Sequence, residues 1–229
     1  MGYYAESLTR ALALLAGGDA ALLTIVATSL TTSLAAVALA SLFALPAGVA
    51  CALADFRGKP LLRHFLEALA ALPTVVVGLL LYGLLSRRGL FGEFGLLFSP
   101  AAMVIGQTVL IAPLLWTLVM GAVEACDPRL ALTCRALGAN RAQQAVLVVI
   151  ESRRAIVAAA ILGFGRALGE VGVAMMLGGN IEGHTRTMTT AIALETSKGE
   201  FVLALALGLV LVTVALLVNL ALGLLRRAR

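Results

Sequence analysis

The chain has 229 residues, 61% of them hydrophobic and only 13% charged, with a net charge of +5 and a mean hydropathy of +1.04. A soluble domain carries about 45–50% apolar and about 25% charged residues. This composition excludes an ordinary cytosolic enzyme, a disordered chain and a disulfide scaffold, and describes an integral membrane protein.

In chain order, the apolar stretch after Arg10 runs only about seven residues before Gly17-Gly18-Asp19, too short for a secretory signal core, so no signal peptide is expected. Uncharged runs then occupy 20–54, 68–86, 94–123, 155–165 and 201–225. The fourth is interrupted by Arg166 and Glu170 and continues apolar through Ile181. A membrane crossing needs about 20 apolar residues. The predicted spans are therefore about 20–54, 68–86, 96–123, 155–181 and 201–225, in one transmembrane domain covering 1–229. As one helix the first would be about 52 Å long. That is too long for one crossing and too short for two with a turn, so it is read as a helix projecting beyond the bilayer at its Ser/Thr-rich start. No ten-residue alternation supports barrel strands.

Loop charge orients the bundle. Arg57, Lys59 and Arg63, then Arg129, Arg135, Arg141, Arg153 and Arg154, then Arg226, Arg227 and Arg229 fall in alternate connections. The opposite connections hold only Arg10, Arg87, Arg88, Arg186 and Lys198. The excess of basic residues puts the N-terminus outside and the C-terminus in the cytoplasm. The positive net charge follows from this topology, and no nucleic-acid surface is expected.

Catalytic and metal chemistry find no support in the residues. Cys51 lies in a span and Cys126 and Cys134 in a cytoplasmic loop, while His64 and His184 fall on opposite sides of the membrane. No Cys/His set has zinc-ligand spacing. No span holds His or Asp, and neither Lys59 nor Lys198 closes a phosphate-binding loop. No catalytic residue, metal or cofactor is expected on this chain, and any ATP-Mg must be used by a separate polypeptide.

The cytoplasmic loop 124–154 is the most informative segment. Asp127-Pro128 is a helix start, with a capping acceptor and proline where a missing N–H costs nothing. Gly138 supplies a stop, and Asn140 with Gln143 completes a capping box for a second helix. Two short helices joined at Gly138-Ala139-Asn140 are predicted. They are either an interfacial pair on lipid headgroups or a rigid docking element for a soluble partner.

Arg166 falls about 16 Å along a helix entering the bilayer near Ala155, so it must face protein or water rather than lipid. Its spacing from Glu170 allows pairing on one helix face. The pair is either a structural lock or a cation that can be lent to an anion. Gly165, Gly169 and Gly172 leave room for another backbone. Thr24, Thr28, Thr31 and Thr32 share a helix face and either hydrogen-bond within the bundle or line a pathway. The polar outer loop 182–200, with a short helix over 187–197, is a connector or a docking face.

Two sets of residues carry a family resemblance. Arg135-Ala136-Leu137-Gly138-Ala139-Asn140 and the helix through Ile150 resemble the cytoplasmic coupling loop of ABC importer permeases. Where that loop has Glu-Ala-Ala and later Ile-x-Leu-Pro, this chain has Leu132-Thr133-Cys134 and Val148-Val149-Ile150-Glu151. Gly165-Arg166-Ala167-Leu168-Gly169-Glu170-Val171-Gly172, Gly178-Gly179-Asn180-Ile181, Thr185-Arg186-Thr187-Met188-Thr189-Thr190-Ala191-Ile192 and Leu72-Pro73-Thr74-Val75-Val76-Val77-Gly78-Leu79 are similar to the tungstate/molybdate oxyanion permeases. The resemblance implies an all-α membrane protein, a type I ABC importer transmembrane domain with about five transmembrane helices and a cytoplasmic coupling helix, in the cell inner membrane. It also implies a homodimer, a cytoplasmic ABC ATPase dimer and an extracytoplasmic oxyanion-binding protein. Tungstate is the first cargo, with molybdate, sulfate or phosphate as alternatives; an uncoupled secondary transporter or channel is the reading from another class. Leu132, Arg135, Ala136, Leu137, Gly138, Ala139, Asn140 and Arg141 become ATPase-coupling residues. Thr28, Thr32, Pro73, Gly165, Arg166, Gly169, Glu170, Asn180 and Thr189 become pathway or gate residues.

Overall fold

The computed structural model describes residues 2–227, and every regular element among them is helical. The helices are α1 (Gly2–Ala16), α2 (Ala20–Leu53), α3 (Lys59–Ala70), α4 (Thr74–Leu85), α5 (Pro100–Glu124), α6 (Pro128–Ala136), α7 (Arg141–Leu168), α8 (Gly172–Gly178), α9 (Met188–Lys198) and α10 (Phe201–Arg227). Among the described residues, α2, α5 and α10 are long and apolar enough to cross a membrane, and α3 with α4 form a bent pair that adds a fourth.

The long first run is one helix, as expected. Asp19 starts α2 by accepting from the Ala21 and Leu22 amides at 2.8 and 3.0 Å, which satisfies donors that have no partner inside a helix. At the other end, Lys59 Nζ donates to the Ala52 carbonyl at 2.7 Å and pairs with Glu124 at 3.1 Å. Arg63 pairs with the same carboxylate. One cluster thus ties the ends of α2 and α5 to the start of α3.

The core is built where small residues let helices approach. Ala36, Ala40 and Ala44 of α2 share a buried cluster with Ile111 and Leu115 of α5 and Ala159 and Ala167 of α7. A Cβ on Gly48 would stand 2.7 Å from a Val119 methyl, and one on Gly163 would stand 3.0 Å from Leu115. Without a hydrophobic drive between helices in lipid, such close packing is what holds them together.

The structure departs from the sequence reading in three places. The expected span over 68–86 starts earlier, at Lys59, and breaks at 71–73 with an 88° bend between α3 and α4. Pro73 has no amide to continue the ladder and disfavours helical backbone at Leu72. The expected span over 155–181 is not continuous: α7 ends at Leu168, and α8 restarts at Gly172. Glycines at 165, 169 and 172 lower helix propensity there. Finally, the second coupling-loop helix is not short. With no Gly or Pro between Arg141 and Gly163, α7 runs 28 residues from the turn at 137–140 into the bundle. The outer helix expected over 187–197 is present as α9, with Thr187 as its N-cap.

Candidate functional site

The two helix breaks lie against each other. A Cβ on Gly172 would come 2.7 Å from Thr74 Oγ1 and 3.0 Å from the Val75 amide nitrogen, so only glycine lets the start of α8 rest on the start of α4. Further along, Gly78 faces Met176 and the Val173 backbone, and Gly106 of α5 faces Val173 and Leu177. The Phe98 amide donates to the Leu177 carbonyl at 2.8 Å. The short helix α8 is wedged between α4 and α5. Irregular backbone at membrane depth is tolerated only where protein buries it or it lines a watery cavity.

Depth can be read from α5. Gly163, one turn before Arg166, abuts Leu115 and Ile111, and Ile111 lies about 16 Å from the start of α5 and about 20 Å from its end. Arg166 and Glu170 therefore stand near the middle of the bundle. Arg166 Nη1 donates to Glu170 Oε2 at 2.7 Å, with the Glu170 side chain 3% exposed and that of Arg166 41% exposed. The second carboxylate oxygen, Oε1, accepts from the Val173 amide at 3.2 Å and so caps α8. Thr189 Oγ1 of α9 donates to the Glu170 carbonyl at 2.8 Å.

A hydroxyl network continues outward from there. Thr187 Oγ1 lies 3.1 Å from Thr189 Oγ1 and 3.0 Å from Thr190 Oγ1, and the Met188 amide donates to Ser29 Oγ of α2 at 2.7 Å. Buried polar groups satisfied in a chain rigidify their surroundings. This thread joins α2, α9, α7 and α8 across the interior.

Several predicted pathway residues have local duties. Thr28 Oγ1 donates to the Thr24 carbonyl at 2.9 Å and Thr32 Oγ1 to the Thr28 carbonyl at 2.7 Å, so both hydroxyls close back onto their own helix. Ser29, between them in sequence, is the residue that reaches another helix. Thr32 lies on the same buried face of α2, so what distinguishes Ser29 is its bond to the Met188 amide. Asn180, at φ +51°, donates Nδ2 to the Thr190 carbonyl at 3.4 Å, tying the loop after α8 to α9. Pro73 is exposed at the α3–α4 break, and Gly165 and Gly169 are exposed beside Arg166. The structure thus brings Gly165, Arg166, Gly169, Glu170 and Thr189 together, with Pro73 one residue from the Gly172 contact. Thr185, singled out in the sequence only as part of the resembling stretch 185–192, is fully buried and donates to the Gly178 carbonyl at 2.6 Å.

In the loop between α5 and α7, Asp127 Oδ1 accepts from the Arg129 amide at 2.9 Å at the start of α6. Gly138 takes φ +76°, a conformation that favours glycine. Asn140 Oδ1 accepts from the Gln143 amide at 2.9 Å while Gln143 Oε1 accepts from the Asn140 amide at 2.8 Å, closing the capping box. Ala136, Gly138, Asn140 and Arg141 are exposed and Ala139 half-buried, while Leu137 projects at 82% exposure. The side chains of Leu132 and Arg135 lie outside the described residues. Leu137, Val146 and Leu147 border a groove of about 670 Å³ at this turn. Leu130 packs against the buried cluster of Val49, Val119, Val123 and Val148, anchoring α6 to the ends of α2, α5 and α7. Burial pushes the Cys126 thiol up, Ser152 pulling against it and Glu151 adding to it, which suits an inert thiol. Among the described residues no His, Cys, Asp and Glu cluster has the makings of a metal site.

Comparison with known proteins gives four findings. The family model for the binding-protein-dependent transport system inner membrane component matches residues 44–229. The tungstate uptake system permease protein TupB of Peptoclostridium acidaminophilum is 36% identical over 219 residues, 96% of each chain. The molybdenum transport system permease protein ModB of Escherichia coli K12 is 35% identical over 182 residues, 73% of this chain and 80% of that one. In fold, the crystal structure of an amino acid ABC transporter with histidines matches with a TM-score of 0.66 over 91% of this chain and 94% of that one, at 16% identity.

Proposed function

Since the chain belongs to the family of binding-protein-dependent transport system inner membrane components, we propose that two copies of it form the path by which a tetrahedral oxyanion, tungstate first and molybdate second, is imported at the expense of ATP. It is the membrane permease subunit of an ABC importer, and the ATPase and the substrate-binding protein are separate chains. In this proposal the N-terminus faces outward, the exposed turn at 137–140 meets an ATPase dimer, and the oxyanion-binding protein docks on the opposite face. ATP-Mg is used by the ATPase; this chain binds no cofactor.

One observation carries the mechanism. The 28-residue α7 is unbroken from the cytoplasmic turn to the break at Gly169. From Arg141 to Arg166 it spans about 37 Å. Closure of the ATPases pushes the 137–140 turn, and a continuous helix passes that displacement to its far end without an intervening hinge. At that end stands a half-exposed guanidinium at membrane depth. Unable to face lipid without a cost of about 2.5–3.5 kcal/mol, it faces the water-filled path between the two copies. Arginine presents planar donors that suit an oxyanion, while the exposed glycines beside it place no side chain in the way. Ring-like partners are unnecessary, because a conduit must hold its cargo loosely enough to release it.

The test is uptake of labelled tungstate into vesicles holding permease, ATPase and binding protein, with molybdate and sulfate as competitors. Uptake that requires ATP and is lost in Arg166→Gln supports the proposal. Uptake that persists without the ATPase rejects it in favour of a secondary transporter or channel. Competition by sulfate equal to that by molybdate would widen the cargo to oxyanions in general.

A further inference from the structure

We propose that Glu170 is a positioning residue that competes with the transported anion for Arg166 and, through its second oxygen, reports the outcome to α8. The inference rests on the reading of Arg166 as the anion's contact. Its geometry is that of a carboxylate divided between two tasks: Oε2 holds Arg166 at 2.7 Å, and Oε1 holds the Val173 amide at 3.2 Å. The residue is only 4% exposed. The guanidinium it holds is 41% exposed, on the side where Gly165 and Gly169 leave the helix surface open.

Arginine carries five N–H donors in a fixed fork, and among the described residues only one of them, on Nη1, is used within the protein. An arriving oxyanion can therefore engage the open edge of the guanidinium before the ion pair parts. When it draws the guanidinium away, Glu170 loses its countercharge in a place where an uncompensated carboxylate is costly. The Val173 amide still holds the other oxygen, so the strain falls on the one hydrogen bond that caps α8. Thr189, bonded to the Glu170 carbonyl at 2.8 Å, prevents the break from simply sliding to relieve it. The element that can yield is α8, whose first residue rests on Thr74 and Val75 of α4. Anion binding and the seating of α8 on α4 are thus coupled through one side chain.

The coupling gives the site two states: a latched one with Arg166 on Glu170 and an occupied one with Arg166 on the anion. If the latch is closed about nine-tenths of the time, apparent affinity is reduced about tenfold, since affinity scales with the competent fraction. Weak binding is then a designed property of the latch rather than of a poor site.

The experiment is equilibrium binding of tungstate to the permease–ATPase complex in lipid nanodiscs without binding protein, beside ATP-driven uptake in the complete vesicles. Glu170→Gln keeps an oxygen for the Val173 amide but has no charge with which to hold Arg166. The expected result is binding about tenfold tighter together with uptake several-fold slower, because the anion leaves less readily. A general structural defect would not tighten binding. Arg166→Gln is expected to abolish binding in either background. Unchanged or weaker binding in an assembled Glu170→Gln complex, with Arg166→Gln still abolishing it, overturns the inference and leaves the transport reading intact. Binding and uptake untouched by Arg166→Gln overturn both. Should Glu170→Gln fail to assemble, the wild-type complex decides. Tungstate must produce an infrared difference band in the carboxylate region that moves in Glu170→Asp, and its absence overturns the inference.

Discussion

The capped turn at 137–140 and the helix break at 169–171 are two interruptions of the same chain, about 30 residues apart, held by partners at different distances along the sequence. At the turn the described hydrogen bonds are local: Asn140 to Gln143, Asp127 to Arg129 and Ala139 to Cys134, with Gly138 left-handed. At the break the local Arg166–Glu170 and Glu170–Val173 bonds are joined by others that span the sequence. Thr189 reaches Glu170 across 19 residues, and Met188 reaches Ser29 across 159, while Gly172 is required by a contact with α4. An exposed turn can be held by bonds within itself. A helix break buried inside a bundle needs neighbours to satisfy its backbone.

This contrast makes four predictions. Gly172→Val is the most damaging, because its new atoms would collide with the Thr74 side chain and Val75 backbone; overpacking of this kind costs up to about 3 kcal/mol, read as a fall in the melting temperature of the detergent-solubilised permease. Ser29→Ala comes next. It leaves the Met188 amide buried without an acceptor, at a cost of about 2 kcal/mol, again measured by thermal unfolding. Asn140→Ala removes the capping box and costs about 1 kcal/mol locally. Its effect should appear as fewer anions moved per ATP hydrolysed, with the melting temperature unchanged, because the frayed turn lies outside the bundle. Thr28→Val is the smallest, within about 0.5 kcal/mol and with uptake unaltered. A large defect in Thr28→Val, or none in Ser29→Ala, would dissolve the distinction between a helix-bound hydroxyl and one that bridges helices.

The legibility of each region follows from the same difference. The capping box at Asn140, the start at Asp127, and the α9 helix with its Thr187 cap could be read because the partners lie within a few residues. The Arg166–Glu170 pair could be read for the same reason, at a spacing of four. The 88° bend at Pro73 and the break at Gly169 could not be read, since uncharged residues continue from 68 to 86 and apolar ones resume after Glu170. Proline and glycine mark where a helix can break, but whether it does depends on what waits to receive the freed backbone groups. Likewise the threonines of α2 were as visible as Ser29, and only packing told which hydroxyl meets another helix.

By itself the sequence determined that this chain lies in a membrane, that several of its helices are long and apolar, and that a capped turn joins two of them; these follow from composition and from hydrogen bonds between near neighbours. Only the tertiary structure decided that two helix breaks lie against each other, that Glu170 serves Arg166 and α8 together, and that α7 runs unbroken from the turn to that place. Those arrangements depend on residues far apart in the chain meeting at distances of a few ångströms, and the close approach of backbones is set by shape, which no pattern of residue types along a line records.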